Sequence, residues 1–489
     1  MQSYFKNYFH KDLLSSLVVF LVALPLCMGI AMASGVPVIY GLLSGIIGGL
    51  VIGAFTGSPL QVSGPAAGLA VIVFDIVQTE GIEGLAIITL MAGLFQVLFA
   101  FFKAGPLFRA ISPSVVKGML AGIGVLIFAS QFHVMVDDTP KGSAFENIIT
   151  IPQAIFKVFD PTVGGTAHMQ AGFLGLITIG LIVGWNMFKQ RVKNPVPGPL
   201  IAIVAASLIV WGANLEILLV ELPGDLAGVI GDSMIWNRLD GFKISYIFSA
   251  LMLAFVATTE TLLCVTAVDQ IKTGHKSDYN KELLAQGIGN SIAGVVGALP
   301  LTGVIVRTSA NVEAGGETKG ATIMHGAWLL IMLFMFPMVL AYIPKAGLAA
   351  ILVFTGFKLM DFKSIKVFKQ YGNGEVAIYL STVAGVVFIN LLAGVALGFA
   401  LSLVRLLWKT HSGHIEADEV GGEHKLNFVG NFSFVNLPKV ASELERERSA
   451  GSITLDFSEA NYIDHAIEDL VKNFEKTASQ KGLKIKKVS

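Results

Sequence analysis

The chain has 489 residues, of which 54% are hydrophobic and 14% charged, and its 34 basic side chains balance 34 acidic ones. Soluble domains carry about 25% charged residues, so a wholly soluble fold is excluded and most of the chain belongs in a lipid bilayer. The zero net charge leaves no basic field for nucleic acid, and the two cysteines, Cys27 and Cys264, give neither a disulfide framework nor metal-ligand spacing.

Residues 1–12 form a polar, partly aromatic lead-in, read as an interfacial helix on the cytoplasmic side. The apolar run after Lys11 outlasts a signal-peptide core and lacks a small-residue cleavage site, so it is expected to be retained. Residues 13–33 are long enough to span about 30 Å of hydrocarbon, with a break expected at Pro25. Further spans are expected at 38–55, 64–78, 85–102 and 113–131. A polar stretch, 133–170, contains an amphipathic piece from Ile148 to Phe159, and spans resume at 171–188 and 199–214. After a second polar stretch, Leu215 to Lys243, the other half offers 244–266, 283–297, 302–312, 320–342, 346–357, 375–390 and 391–409. Both halves thus carry seven segments, several too short to cross alone.

Loop charges orient these segments. Lys103, Arg109 and Lys117, then Lys189, Arg191 and Lys193, then Lys358, Lys363, Lys366 and Lys369 fall in loops on the N-terminal, inner side. The two long outer loops are acidic, with Asp137, Asp138, Glu146 and Asp160 in one and Glu216, Glu221, Asp225, Asp232 and Asp240 in the other. Both termini are therefore expected in the cytoplasm, with the chain in the cell's inner (plasma) membrane.

After Lys409 the pattern changes. Lys425 to Val429 alternates like a strand, and Ser452 to Phe457 reads as a buried one. Leu437 to Arg448 is amphipathic, Asp464 can cap a helix over Ala466 to Ser479, and Gly482 precedes a last strand, Leu483 to Val488. Residues 411–489 are expected to form a small α/β domain. The transmembrane domain is 13–410, with one repeat at about 13–215 and the other at about 244–410.

An ungapped shift of 241 positions exposes the repeat: Leu42 falls on Leu283, Leu43 on Leu284, Ile47 on Ile288, Gly48 on Gly289, Gly53 on Gly294, Pro59 on Pro300 and Leu60 on Leu301. Apolar segments interrupted by Gly and Pro at matching places in two halves point to a transporter binding site. If the spans at 64–78 and 302–312 begin near mid-membrane, their first N–H groups have no intrahelical partner. Facing helix N-termini then supply donors and partial positive charge for a small anion. Gly64, Ala66, Ala67, Gly303 and Val304 leave the approach open, and Ser63 and Thr302 add hydroxyls.

Two charges fall within spans, and intramembrane ionisable residues are functional candidates. Arg307 either holds the anion, snorkels to the inner surface or forms a structural pair. Glu260 either partners Arg307 or, as a buried carboxylate able to take up a proton, couples transport to a cation. His133 and His325 are read as lone interfacial or hydrogen-bonded histidines, and Met332, Met335 and Met338 as apolar filling.

These residues resemble the SulP (sulfate permease) family of inorganic anion transporters. The resemblance rests on Ala23-Leu24-Pro25, Ser63-Gly64-Pro65-Ala66-Ala67-Gly68, Glu260, Gly287-Ile288-Gly289-Asn290, and Arg307 with Gly315-Gly316. The tail is similar to a short STAS domain in Asp456-Phe457-Ser458 and Tyr462-Ile463-Asp464. The resemblance implies a multi-span α-helical membrane protein of two inverted seven-span repeats, divided into a core and a gate domain. It also implies a homodimer and an anion site between the third and tenth spans, with Ala23 and Pro25 among the binding residues. Family members similar to this chain that place Asp at Glu260 and Thr one turn later bind sodium. Here the later position is Cys264, and sulfur is a poor ligand for a hard cation. Protons are therefore favoured over sodium, with sodium near Glu260 kept as the alternative and no other cofactor expected. In the tail, His465 follows Asp464 where related signalling domains carry a phosphorylated Ser. The tail is read as a scaffold or as a docking place for a cytoplasmic regulator.

The expected function is secondary active transport of a small inorganic oxyanion, of the sulfate or bicarbonate class, by alternating access. A nucleobase-cation symporter of the same architecture and an uncoupled anion channel are the alternatives. No grouping of nucleophile, base and metal supports an enzyme.

Overall fold

The computed structural model describes residues 7–108, 112–141, 144–192, 196–235, 242–271, 277–410, 413–420, 423–432, 436–446, 452–479 and 483–488. Residues 1–6 of the lead-in, together with Arg109, Lys193, Asp240 and Gly482, lie outside them. The chain divides into two compact units, Met1–Gly398 and Phe399–Ser489.

In the first unit, α1 (Phe9–Ala33) is followed by α2 (Val38–Ile47), which continues through a π-helical turn, Gly48–Ile52, to Phe55. Then come the two-residue strand β1 (Ser63–Gly64), α3 (Ala67–Phe101), α4 (Pro113–Met135), α5 (Ala144–Phe159), α6 (Pro161–Val192), α7 (Gly198–Ala213) and α8 (Leu226–Ser233). The second half runs α9 (Ser245–Ile271), α10 (Tyr279–Val295), β2 (Thr302–Gly303), α11 (Ile305–Glu313), α12 (Lys319–Met335), α13 (Lys345–Leu359), α14 (Lys363–Gln370), α15 (Asn373–Phe388) and α16 (Leu391–Thr410), which contains the division between the units. Helix stands at every expected span. Two of those spans are joined in α3, which turns at Gly81 with φ 73° and ψ 176°. A Cβ at Gly81 would meet nothing within 4 Å, so the backbone angle and not crowding calls for glycine there.

Among the described residues, six helical stretches are long and apolar enough to cross a membrane. α11 is not one of them: its 9 residues rise about 14 Å at 1.5 Å each, half the hydrocarbon thickness. One expectation is corrected. α1 runs unbroken through Pro25. Proline removes a single N–H from the ladder, and membrane helices tolerate that where packing re-satisfies the freed groups.

α1, α2, α3, α9, α10, α11 and α12 pack together around β1 and β2, while α4, α6, α7, α13 and α15 form a second group. α3 and α10 approach closely through Gly93, Gly287 and Gly294, at each of which a Cβ would meet the partner's backbone. Small residues at such contacts let membrane helices pack by van der Waals contact.

Among the described residues, the second unit holds the end of α16, a five-stranded sheet and two further helices. β3 (His414–Val420) lies antiparallel beside β4 (Glu423–Phe432), and β5 (Ser452–Asp456) and β7 (Lys484–Val488) continue the sheet in parallel. β6 (Ala460–Ile463) pairs with the far end of β4. Helices α17 (Leu437–Arg446) and α18 (His465–Ser479) make the crossovers, and Asp464 Oδ1 accepts from Ala466 N at the start of α18. Leu426, Phe428, Phe432, Leu455, Val440 and Val471 fill its core.

Candidate functional site

The halves of the first unit meet at a strand pair. β1 and β2 run antiparallel, with Ser63 opposite Gly303 and Gly64 opposite Thr302. Val304 N donates to Val62 O at 2.9 Å and extends the pairing. Antiparallel pairing of equivalent segments means that the halves are inverted relative to each other. α2 and α10 start 241 residues apart (279 − 38), as the sequence repeat requires, but α3 and α11 start 238 apart (305 − 67). The stretch from one helix start to the next is therefore three residues longer in the first half than in the second.

Side chains fix both strands. Val62 N donates to Thr308 Oγ1 at 3.0 Å, and Gly303 N to Thr261 Oγ1 at 3.2 Å. Asn290 accepts from Leu301 N at 2.8 Å and donates to Leu301 O at 2.9 Å. Beyond the strands, Ala66 is the N-cap of α3 and Val304 that of α11, and neither helix has a side-chain cap. By contrast, Asp278 caps α10 and Thr318 caps α12. The first N–H groups of α3 and α11 are thus left as donors, with the positive ends of both helix dipoles.

Ser63, Gly64, Ala66, Thr302 and Gly303 are buried, and Ala67 and Val304 are half-buried. Arg307, on the first turn of α11, is 0% exposed. It therefore does not snorkel. Its Nη2 donates to Pro65 O at 3.3 Å, while Nε and Nη1 are buried without a partner. Among the described residues no carboxylate lies within 4.0 Å of it. The guanidinium rests on Gly64, where a Cβ would collide with Nη1.

Glu260, on α9, is half-buried, and its carboxylate lies against Gly68, on the first turn of α3 and four residues beyond Gly64. Oε2 is buried and unpartnered. Glu260 and Arg307 thus occupy two adjacent glycine contacts without forming an ion pair. Cys264 is fully buried, and its Sγ donates to Thr308 Oγ1 at 3.4 Å. Ala23 and Pro25 are buried in α1, which packs against α11 and α12. The residue of α1 that feels Arg307's charge is Cys27, and His325 of α12 feels it too.

The sequence reading missed Gln61, Glu282 and Gln286. Glu282 is fully buried and accepts from five donors, including Gln61 and Gln286. The only signal for it was a charge opening an apolar span, and that also describes an ordinary helix start.

A strand pair between the N-termini of two helices from inverted halves, with both ends uncapped beside the buried Arg307 guanidinium, is the arrangement of a transporter fold built from inverted seven-span repeats. The model of the sulfate permease family matches residues 9–382. A putative sulfate transporter, YvdB of Bacillus subtilis, is 32% identical over 410 residues, 82% of this chain and 74% of that protein. The bicarbonate transporter BicA of Synechocystis is 27% identical over 412 residues, 81% of this chain and 69% of that protein. Among solved structures, murine solute carrier 26 family member A9, an anion transporter in the inward-facing state, aligns over 99% of this chain and 86% of its own, with a TM-score of 0.81 and 18% identity. The transmembrane domain of a cyanobacterial BicA aligns over 79% of this chain and 97% of its own, with a TM-score of 0.63 and 24% identity. The chain belongs to the sulfate permease family. It is a membrane protein of a family of transporters, not enzymes, and its C-terminal sheet unit fits a STAS-like domain.

Proposed function

We propose that this protein is a secondary active transporter of a small inorganic oxyanion, of the sulfate or bicarbonate class. The anion is held between the N-termini of α3 and α11. The observation that carries this reading is Arg307: a fully buried guanidinium with two unpartnered nitrogens and no neighbouring carboxylate, set beside two uncapped helix ends. A buried charge without a partner costs several kcal/mol, and a bound anion removes that cost. Ser63, Gly64, Ala66, Ala67, Thr302, Gly303 and Val304 form the rest of the cradle, with Ala23 and Pro25 behind it. The names of the relatives, sulfate and bicarbonate transporters, agree with this substrate class.

The first group of helices acts as the core, which carries the anion, and the second as the gate, in alternating access. Residues 13–215 and 244–410 are the two repeats, and 411–489 the STAS-like domain, a docking place for a cytoplasmic regulator. Both termini lie in the cytoplasm, the protein resides in the inner (plasma) membrane, and it works as a homodimer. Coupling is to protons through Glu260. Sodium is disfavoured because the Cys264 sulfur suits a hard cation poorly and is bonded to Thr308.

Uptake of a panel of labelled anions into proteoliposomes, with and without a proton or sodium gradient, tests this reading. Proton-driven accumulation of sulfate or bicarbonate is the expected result. Accumulation driven by sodium at fixed pH would overturn the coupling assignment. Current without any cation requirement would identify a channel, and uptake of nucleobases alone would reject the anion site.

A further inference from the structure

Glu282 sits in the first turn of α10, 0% exposed, and four of its five partners are N–H groups. Thr56 Oγ1, Gly57 N and Ser58 N donate to Oε2 at 2.5, 2.9 and 3.2 Å. Gln61 Nε2 and Gln286 Nε2 donate to Oε1 at 2.8 and 2.9 Å. Among the described residues no lysine or arginine lies within 4.0 Å. The Thr56 hydroxyl also lies 2.9 Å from Ser58 O and can serve either way, but both partners of Oε1 are amide N–H groups, so Oε1 acts as an acceptor.

That one-way chemistry fixes the direction of the next bond. Gln286 must turn its NH₂ group, and not its carbonyl oxygen, toward Glu282. The second hydrogen of the same nitrogen then points to Ser63 Oγ, 2.5 Å away. Gln286 Oε1 is left buried with no partner, so the amide is held in this orientation at the expense of its own acceptor. Ser63 Oγ therefore accepts from Gln286, and its single hydrogen is free to donate elsewhere. Among the described residues that hydrogen has no acceptor.

We propose that Glu282 is a positioning residue that acts through Gln286 to make Ser63 a donor to the transported anion. The inference rests on the proposed anion site at β1. A hydroxyl can present either a hydrogen or a lone pair, and only the hydrogen favours an anion. The relay Glu282 to Gln286 to Ser63 selects the hydrogen. The repeat has no second copy of this device: the residue 241 positions before Glu282 is Gly41.

A double-mutant cycle on purified protein, read as sulfate and bicarbonate affinity, tests the relay. Glu282→Gln can offer its own NH₂ to Gln286 and let that amide turn over, so that Ser63 donates inward. Glu282→Gln and Ser63→Ala should each weaken binding about tenfold, as expected for one hydrogen bond to a charged group. In the Ser63→Ala background, Glu282→Gln should then cost nothing further, whatever it does to melting temperature. If the two losses multiply, Glu282 is merely structural and the relay is overturned while the anion site stands. If Ser63→Ala binds as wild type, Ser63 is no anion ligand, and both the relay and that part of the site fall. Should Glu282→Gln not fold, Gln286→Met, which removes the donor at similar volume, is put through the same cycle with the same outcomes.

Discussion

Ala66 and Ala67 stand where α3 presents its first N–H groups, and their methyls are small enough to leave those groups reachable. Ala66→Leu is expected to abolish anion uptake. Ala66→Gly, which keeps the N–H groups, is expected to retain most of it. Equal loss in both variants would assign the alanine to helix packing. Glu260 poses a different question, since its carboxylate lies on Gly68 with Oε2 unpartnered and has no ion pair with Arg307. Glu260→Gln mimics the protonated acid. It should still exchange anion across vesicles but lose pH-driven accumulation, and counterflow and accumulation measured in the same vesicles separate the two. Retained accumulation would remove Glu260 as the proton carrier. At this scale Ser63, Arg307 and Glu260 could be picked out from the sequence because charge and hydroxyl are rare within apolar spans. Gln61, Glu282 and Gln286 could not, because the partners that give them a role lie more than 200 positions away.

Among the elements, the spans were readable because a membrane demands about 20 apolar residues per crossing, and the interruptions marked the half-helices. Pro25 misled, since packing tolerates a proline that propensity would treat as a break. β3 and β6 in the tail also escaped. β3 alternates poorly, with Glu416, Asp418 and Glu419 on an edge strand, and β6 has only four residues. The link between α4 and α5 supports a pH prediction. Asp138 Oδ1 accepts from Lys157 Nζ at 2.9 Å, and Oδ2 lies 3.1 Å from His133 Nδ1. Burial alone would push this carboxyl up, but the hydrogen bonds from Lys157 and His133 outweigh it and hold the group well below the usual carboxylate range. A depressed folded value stabilises the fold above the unfolded pKa, near 3.9, and that contribution is lost as pH falls below it. Asp138→Asn is expected to destabilise the protein by about 2 kcal/mol at neutral pH. The difference from wild type, followed by thermal melting, should stay flat down to about pH 4 and shrink below. A difference that vanishes already at pH 6 would contradict the depressed carboxyl.

For the whole molecule, the inverted repeat explains why one chain builds a site from two distant stretches. Each half contributes a strand, an uncapped helix end and a break in an apolar run, and only their antiparallel pairing brings Gly64 under Arg307. The 241-residue shift gave the correspondence of α2 with α10 but not the three-residue offset at α3 and α11. An ungapped comparison cannot see a loop that differs in length. The central claim is that this junction binds the anion through Arg307. Equilibrium binding of labelled sulfate and bicarbonate to purified wild type and Arg307→Ala, with melting temperatures measured in parallel, tests it most directly. The expected result is a folded variant whose affinity has fallen by roughly a hundredfold, the scale for removing one partner of a buried charge pair. Wild-type affinity in a folded Arg307→Ala protein would contradict it.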